Sequence, residues 1–253
     1  ILKKFNFMKS ISPNLNIMIK ASEKASKIII RDFGEIEKLQ VSKKSQRDFV
    51  TNADLKVEKI IIEELKKAKP NFSFISEERG LKENKDFDHT WVIDPIDGTN
   101  NFLHGIPHFA ISIALISFNE IISGLIFDPI KDEIFFAEKN KGAFLNNKRI
   151  KVSKKKDIDE CLFAIGENLK KEPDFSNRKS GCAALDLAYV AAGRYDGYFQ
   201  KKLNLWDIAS GMLLVQEAGG VISDIDISNL KNLNIIASNT NINQEFQKKI
   251  LNF

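Results

Sequence analysis

The stretch Trp91-Val92-Ile93-Asp94-Pro95-Ile96-Asp97-Gly98-Thr99-Asn100-Asn101 decides the fold. A hydrophobic strand runs directly into two carboxylates three residues apart. Pro95 fixes φ and removes a backbone donor, so the strand is expected to stop there. Gly98 lets the backbone approach a ligand closely. Thr99 or a neighbour can then open a short helix whose free N–H groups face an anion. One turn thus offers oxygen ligands for a hard cation and donors for a phosphate. An acidic turn whose Asp only caps a helix would carry the same residues, so the surrounding chain has to decide.

Outward from this point the chain alternates. Phe72–Ile75, Phe109–Ser117, Ile121–Phe127 and Glu133–Ala137 have the length and β-branched content of strands. Asp128-Pro129-Ile130-Lys131 joins the last two as a turn, and Phe144 to Lys148 reads as another turn. Asn14–Phe33 and Asp54–Ala68 carry the apolar spacing of amphipathic helices, the second ended by Pro70. Beyond residue 150 the expected elements are a strand at Cys161–Ile165, an Ala-rich helix at Ala183–Ala192 and a strand at Tyr198-Phe199. A helix at Ile208–Ala218, a strand at Ile235–Ala237 and a terminal helix at Asn243–Leu251 complete them. Antiparallel hairpins first and mixed elements later predict an α+β or layered α/β architecture. A boundary near residue 148 is expected to separate an N-terminal half, 1–148, from a C-terminal half, 149–253.

The bulk numbers exclude more than they assign. The 253 residues include 28% charged and 43% hydrophobic, a globular balance. No apolar run approaches the roughly 18 residues of a spanning helix, so no membrane role is expected. The formal charge of +4 gives a cationic surface but is thin support for nucleic acid. Lys154-Lys155-Lys156 has acids close behind it and reads as a solvated turn. Cys161 and Cys182 show no metal-ligand spacing, and with no signal peptide in view the expected compartment is the cytoplasm. His104 and His108 are four apart, but Gly105 and Pro107 lie between them, so packing histidines are expected rather than a zinc pair.

Other acids can join Asp94 and Asp97. Ser76-Glu77-Glu78 follows a strand, where two carboxylates repel unless a cation or solvent separates them. In Asp48-Phe49-Val50-Thr51-Asn52-Ala53-Asp54 and in Trp206-Asp207-Ile208-Ala209-Ser210-Gly211, Asp54 and Asp207 sit at expected helix starts, where capping is the plain reading. Mg²⁺ suits a few carboxylates plus water and substrate phosphate.

Together these segments resemble the inositol monophosphatase family. Asp94-Pro95-Ile96-Asp97-Gly98-Thr99 is similar to one of its signature motifs. Trp206 to Gly211, with Glu217-Ala218-Gly219-Gly220 behind it, is similar to the other. The Asp48–Asp54 and Ser76–Glu78 segments match its earlier acidic motifs in order, and Gly181 to Gly197 resembles bacterial members. The resemblance implies an αβαβα sugar-phosphatase fold, a homodimer, and Mg²⁺-dependent, lithium-sensitive hydrolysis of a phosphate monoester by direct water attack. It implies Glu77, Asp94, Asp97, Asp207 and the carbonyl of Ile96 as metal ligands. Glu77 and Thr99 would orient the water, with Asp54 supporting Thr99. Asp97, Gly98, Thr99, Gly181, Cys182, Ala183, Gln200 and Asp207 would contact substrate, and Lys43 would lie on a loop near the metals. Cys182 on its own residue type reads as a small packing residue rather than a catalytic thiol.

Two departures bear on substrate. The family usually has an acid where this chain has Gln200, which donates as well as accepts and carries no charge. Lys201 and Lys202 follow it and make that rim basic. The stretch from Gly166 to Arg178 is also shorter than in many members. The substrate that the resemblance implies is an inositol-1-phosphate, and these departures weaken that specificity and permit a more anionic substrate. A sugar bisphosphate, histidinol phosphate or nucleotide phosphate is the alternative within the class, and an RNA- or transcription-associated protein keeping the fold is the alternative outside it.

Overall fold

The computed structural model describes residues 11–36, 41–43, 49–168 and 173–251. Helix α1 (Pro13–Phe33) starts where Ser12 accepts the Leu15 N–H at 3.2 Å, with proline at the first helical position. Strands β1 (Val41–Lys43) and β2 (Phe49–Thr51) form a small antiparallel pair ahead of α2 (Asn52–Ala68). Then come β3 (Phe72–Ser76), β4 (Gly80–Lys82), β5 (Asp86–Asp97), the short α3 (Thr99–Leu103), β6 (Ala110–Ser117) and β7 (Glu120–Asp128). β8 (Glu133–Glu138), β9 (Gly142–Leu145) and β10 (Lys148–Ile150) follow. These strands make one eight-stranded sheet of order β10-β9-β8-β7-β6-β5-β3-β4. The second sheet draws on β11 (Phe163–Ile165), β12 (Asn177–Arg178), β13 (Gly197–Leu203), β14 (Val221–Ile222) and β15 (Leu233–Ser238), in the order β12-β11-β13-β15-β14. Helices α4 (Ala183–Ala191), α5 (Leu205–Glu217) and α6 (Asn243–Leu251) complete the chain.

Side-chain alternation sorts these elements into five layers. Along β6, Ile111, Ile113 and Leu115 pack with Leu15, Met18 and Ile61 of α1 and α2. Ala110, Ala114 and Ile116 face the opposite way and join the α4 and α5 side chains. In the second sheet Ala164 and Tyr198 face α4 and α5, while Phe163, Ile165 and Phe199 pack under Phe246 and Ile250 of α6. The order is helix, sheet, helix, sheet, helix. The α4–α5 layer is shared by both sheets, so one core runs through both halves.

Small residues set the height of that middle layer. Ala110, Ser112, Ala114 and Gly124 present little bulk to it. A Cβ on Gly124 would stand 2.9 Å from the Ser210 carbonyl oxygen, so α5 rests on β7 only because residue 124 has no side chain. Ser112 donates to Ser210 at 2.9 Å across the same contact. This close seating brings the N-terminal turn of α5, with Asp207, over the end of β5.

Three local expectations need correction. Pro95 does not end the strand. β5 continues to Asp97, with Asp94 opposite Ser112 and Asp97 opposite Ala110, and the extra residue between them is a bulge. Phe144 to Lys148 is not simply a turn: Phe144, Leu145 and Lys148 lie in β9 and β10, and only Asn146-Asn147 link them. Helix α2 begins at Asn52, so Asp54 is inside its first turn and buried, rather than at its cap. In the stretch between Gly166 and Arg178, part of which lies outside the described residues, Asn177-Arg178 adds a strand parallel to β11. Among the described residues no helix is long and apolar enough to cross a membrane.

Candidate active site

The bulge in β5 makes the acidic pair possible. In a regular strand, residues three apart point to opposite faces. Here the added residue places Asp94 and Asp97 opposite Ser112 and Ala110, both on the α4–α5 face. Asp94 is 2% exposed, and its Oδ1 accepts the Ile96 N–H at 3.1 Å. Gly98 follows at φ 91°, and a Cβ there would stand 3.0 Å from the His108 carbonyl oxygen. A left-handed turn packed this tightly requires glycine. Thr99 then opens α3 and donates its hydroxyl to the Ile96 carbonyl at 2.9 Å, leaving that oxygen a second lone pair.

Each remaining acid comes from the end of an element. Glu77 follows β3, and its N–H donates to Ile93 O at 3.2 Å, which ties that turn to β5. Asp97 caps α4 from outside: its Oδ2 accepts the Ala184 N–H at 2.5 Å and the Cys182 thiol at 3.1 Å. Asp207 closes a capping box by accepting the Asn204 N–H at 2.7 Å. Glu77, Asp94, Asp97 and Asp207 all line one cleft of about 320 Å³, with Ile96, Gly98, Thr99, Gly181, Ala183 and Gln200 in the same wall.

The electrostatics of this wall are unfavourable without a counter-charge. Burial, then the charges of Glu77, Asp97, Asp207 and Asp54, push the Asp94 carboxyl well above the usual range. Burial raises Asp97 to about 6 against the pull of its backbone donors. Burial and the Asp97 charge raise Asp207 to about 7. Hard oxygen donors that repel one another in a shared cleft fit a hard divalent cation. Among the described residues no three such side chains already stand in ligating geometry. The hydrogen bonds give a reason: Asp94, Asp97 and Asp207 each have one oxygen turned to a backbone N–H. The donor set fits a cation, and the carboxylates would turn toward it on binding.

Several other residues singled out in the sequence do not line the cleft among the described side chains. Cys182 is 1% exposed and lies beneath the wall rather than in it, and burial beside Asp97 pushes its thiol well up. It is a neutral donor to Asp97, not a nucleophile. Asp54 is buried behind the cleft and acts there through its charge on Asp94. Lys43 is in β1, and its side chain lies outside the described residues, as does Asp48. His104 is exposed, with Nδ1 2.8 Å from the Asn100 carbonyl oxygen, and His108 packs edge-on to Tyr189. Lys201 and Lys202 are not part of the cleft wall; Lys179 is.

Two further residues shape the site without having stood out in sequence. Glu58 of α2 is fully buried, accepts the Glu78 N–H at 3.0 Å, and stands 2.7 Å from Arg79 Nε, so it clasps the turn that carries Glu77. Asn101 donates at 2.8 Å both to His108 O and to Ser180 O, stitching α3 to the segment before Gly181. A charged residue in a polar helix and an Asn in an Asn pair give no signal of burial in sequence.

Comparisons with known proteins show the family. The model of the inositol monophosphatase family matches residues 11–252. The chain belongs to the inositol monophosphatase family. It is similar to inositol-1-monophosphatase of Caulobacter vibrioides, with 43% identity covering 92% of this chain and 99% of the relative. It is similar to Nus factor SuhB of Haemophilus influenzae, with 40% identity covering 95% and 96%. Among solved structures, extragenic suppressor protein SuhB from Bartonella henselae matches at TM-score 0.89 and 42% identity, covering 94% of this chain and 98% of that one. The family is one of phosphoric monoester hydrolases and is generally metal-dependent.

Proposed function

We propose that this chain is a Mg²⁺-dependent phosphate monoesterase that hydrolyses small phosphorylated alcohols, inositol 1-phosphate among those it accepts, by direct attack of water. The observation that carries the reading is the set of four acids, two from β5, one from the start of α5 and one from the turn after β3, facing one cleft beside the Gly98-Thr99 turn. Glu77, Asp94, Asp97, Asp207 and the Ile96 carbonyl would hold the cation. A cation bound there neutralises phosphate charge, lowers the pKa of water and stabilises the leaving oxygen.

The chain's own groups would do the rest. The N–H groups of Gly98 and Thr99 bind phosphate oxygens. Glu77 accepts a proton from the water, and the Thr99 hydroxyl orients that water, with its position fixed through Ile96 O. Asp97 accepts from a substrate hydroxyl while its other oxygen stays on Ala184 N–H. The water oxygen bonds to phosphorus as the P–O ester bond breaks, and the proton released ends on the departing alcohol. No side-chain nucleophile is used, in keeping with the raised Cys182 thiol. Positioning for in-line displacement supplies much of the rate.

The test is phosphate release by purified protein with Mg²⁺ across inositol, sugar, amino-alcohol and nucleotide phosphates. Turnover that needs Mg²⁺ and falls with millimolar lithium supports the reading; no release from any ester defeats it. A second reading, a transcription-associated role, is supported by the name of the Haemophilus relative. Salt-sensitive RNA binding that survives Asp97→Asn would favour it.

A further inference from the structure

The cleft wall also holds groups that are not acids, although the charges of Asp97 and Asp207 reach Tyr198 behind them. Gly166, Lys179 and Gln200 are among these groups. Tyr198 is wholly buried, and its hydroxyl donates to Gln200 Oε1 at 2.6 Å. A buried phenol proton needs an acceptor, and among the described residues this amide oxygen is the one it has. The bond therefore fixes the amide: the oxygen is committed to Tyr198, and the NH₂ group is what Gln200 offers the cleft. Gly166 makes the berth, since a Cβ there would stand 1.8 Å from Gln200 Oε1. Lys179 is exposed, with Nζ 2.5 Å from the neutral Asn168 Oδ1, so no carboxylate in that contact cancels its charge. The neighbouring acid Glu167 has Oε1 turned to the Lys201 N–H at 2.7 Å.

We propose that Gln200 and Lys179 select phosphate monoesters carrying a second anionic group, a carboxylate or another phosphate, over polyol phosphates that offer only hydroxyls; the proposal rests on the hydrolase reading above. An amide NH₂ and an ammonium can only donate. An anionic tail meets both with acceptors, and charge-assisted bonds of this kind are the strong ones. A ring hydroxyl can accept from them, but its own proton meets an amide oxygen already turned toward Tyr198. An acid at 200 would accept those protons and repel the anionic tail.

The test compares kcat/KM, with Mg²⁺, for fructose 1,6-bisphosphate, 3-phosphoglycerate and inositol 1-phosphate. Wild type is expected to favour at least one of the first two over the third by about tenfold, the worth of one charge-assisted bond. Which of the two leads tells a phosphate tail from a carboxylate. Gln200→Glu should shift the ratio toward inositol 1-phosphate by about tenfold or more, and Lys179→Met in the same direction by a few-fold. Tyr198→Phe frees the amide to turn and should move the ratio part of the way. Lys179 is at an exposed position, so its variant stands even if Glu at 200 disturbs the fold. Wild-type preference for inositol 1-phosphate, or a ratio that neither Gln200→Glu nor Lys179→Met moves, overturns the proposal while leaving a hydrolase. No turnover of any of the three esters overturns the hydrolase reading and the proposal with it.

Discussion

The cleft wall joins two sets of groups: four carboxylates, its acid end, and an amide and an ammonium whose hydrogen-bond partners are neutral, its donor end. The two ends are held differently. At the acid end the backbone does the holding: a bulge turns Asp97 to the face of Asp94, and amide N–H groups of residues 96, 184 and 204 each fix one carboxylate oxygen. At the donor end side chains do it, through Tyr198 and Asn168. Backbone scaffolding suits chemistry that must be placed identically for every substrate, and side-chain scaffolding can be retuned by one substitution without disturbing the catalytic geometry.

The largest expected effect breaks the acid end. Asp97→Asn should cut kcat by at least about a hundredfold, since in the proposed mechanism it removes a charge that would both hold the cation and accept from substrate. Circular dichroism should show the fold intact, because an Asn oxygen can still accept the Ala184 N–H. The same substitution should change the substrate ratio set by the donor end little, and a large change would mean the two ends are not separable.

Next is the seat of Asp207. Gly124→Ala puts a methyl 2.9 Å from the Ser210 backbone. It should destabilise the fold by about 1–3 kcal/mol in denaturant titration, and lower activity at the acid end by lifting α5. Full activity with unchanged stability would show that α5 is not held by this contact.

The pH dependence comes third and has a definite sign. Asp97 and Asp207 titrate near 6 and 7 in the cation-free fold, against a usual value of 3.8. Over roughly pH 4 to 7 the folded chain holds more protons than the unfolded chain, so cation-free stability falls as pH rises through that window. Cation binding must expel those protons. Mg²⁺ affinity, measured by calorimetry, should therefore weaken by about tenfold or more from pH 7.5 to 5.5. An affinity flat across that range would remove these two acids from the binding event.

The smallest effect is at a distance. Glu58→Gln keeps an acceptor for Glu78 N–H but loses the charge beside Arg79. It should lower kcat a few-fold, leave KM near the wild-type value, and keep the substrate ratio. A loss confined to stability would make Glu58 structural only.

These two ends were not equally legible in the sequence. The acid end was, because Glu77, Asp94 and Asp97 lie where hydrophobic runs stop, Asp207 lies at a helix start, and the motifs that carry them follow the family's order. The layered fold followed from the same runs. The bulge was not legible: Pro95 forecasts a stop, and only pairing with β6 reveals that the strand resumes. Cys182 looked like substrate contact from its motif, yet burial beneath the wall makes it a donor to Asp97. The positive charge beside Gln200 pointed to Lys201 and Lys202, but it is Lys179, some twenty residues earlier, that reaches the cleft. Proximity in sequence is a poor guide where β13 and the loop before α4 converge in space. Gly166 carried no signal at all, since its role is the room it leaves for a side chain on another strand.

The acid end has the donor set of a divalent-cation site. Thermal unfolding at pH 8, with and without saturating Mg²⁺, tests it most directly. Binding to the folded state alone at about a hundred times Kd adds about 2.7 kcal/mol. The account predicts a clear rise in Tm for the wild type, and for Asp97→Asn a higher Tm without Mg²⁺ and little further rise with it. A wild-type Tm that does not respond to Mg²⁺, or an Asp97→Asn protein that responds as the wild type does, would contradict it.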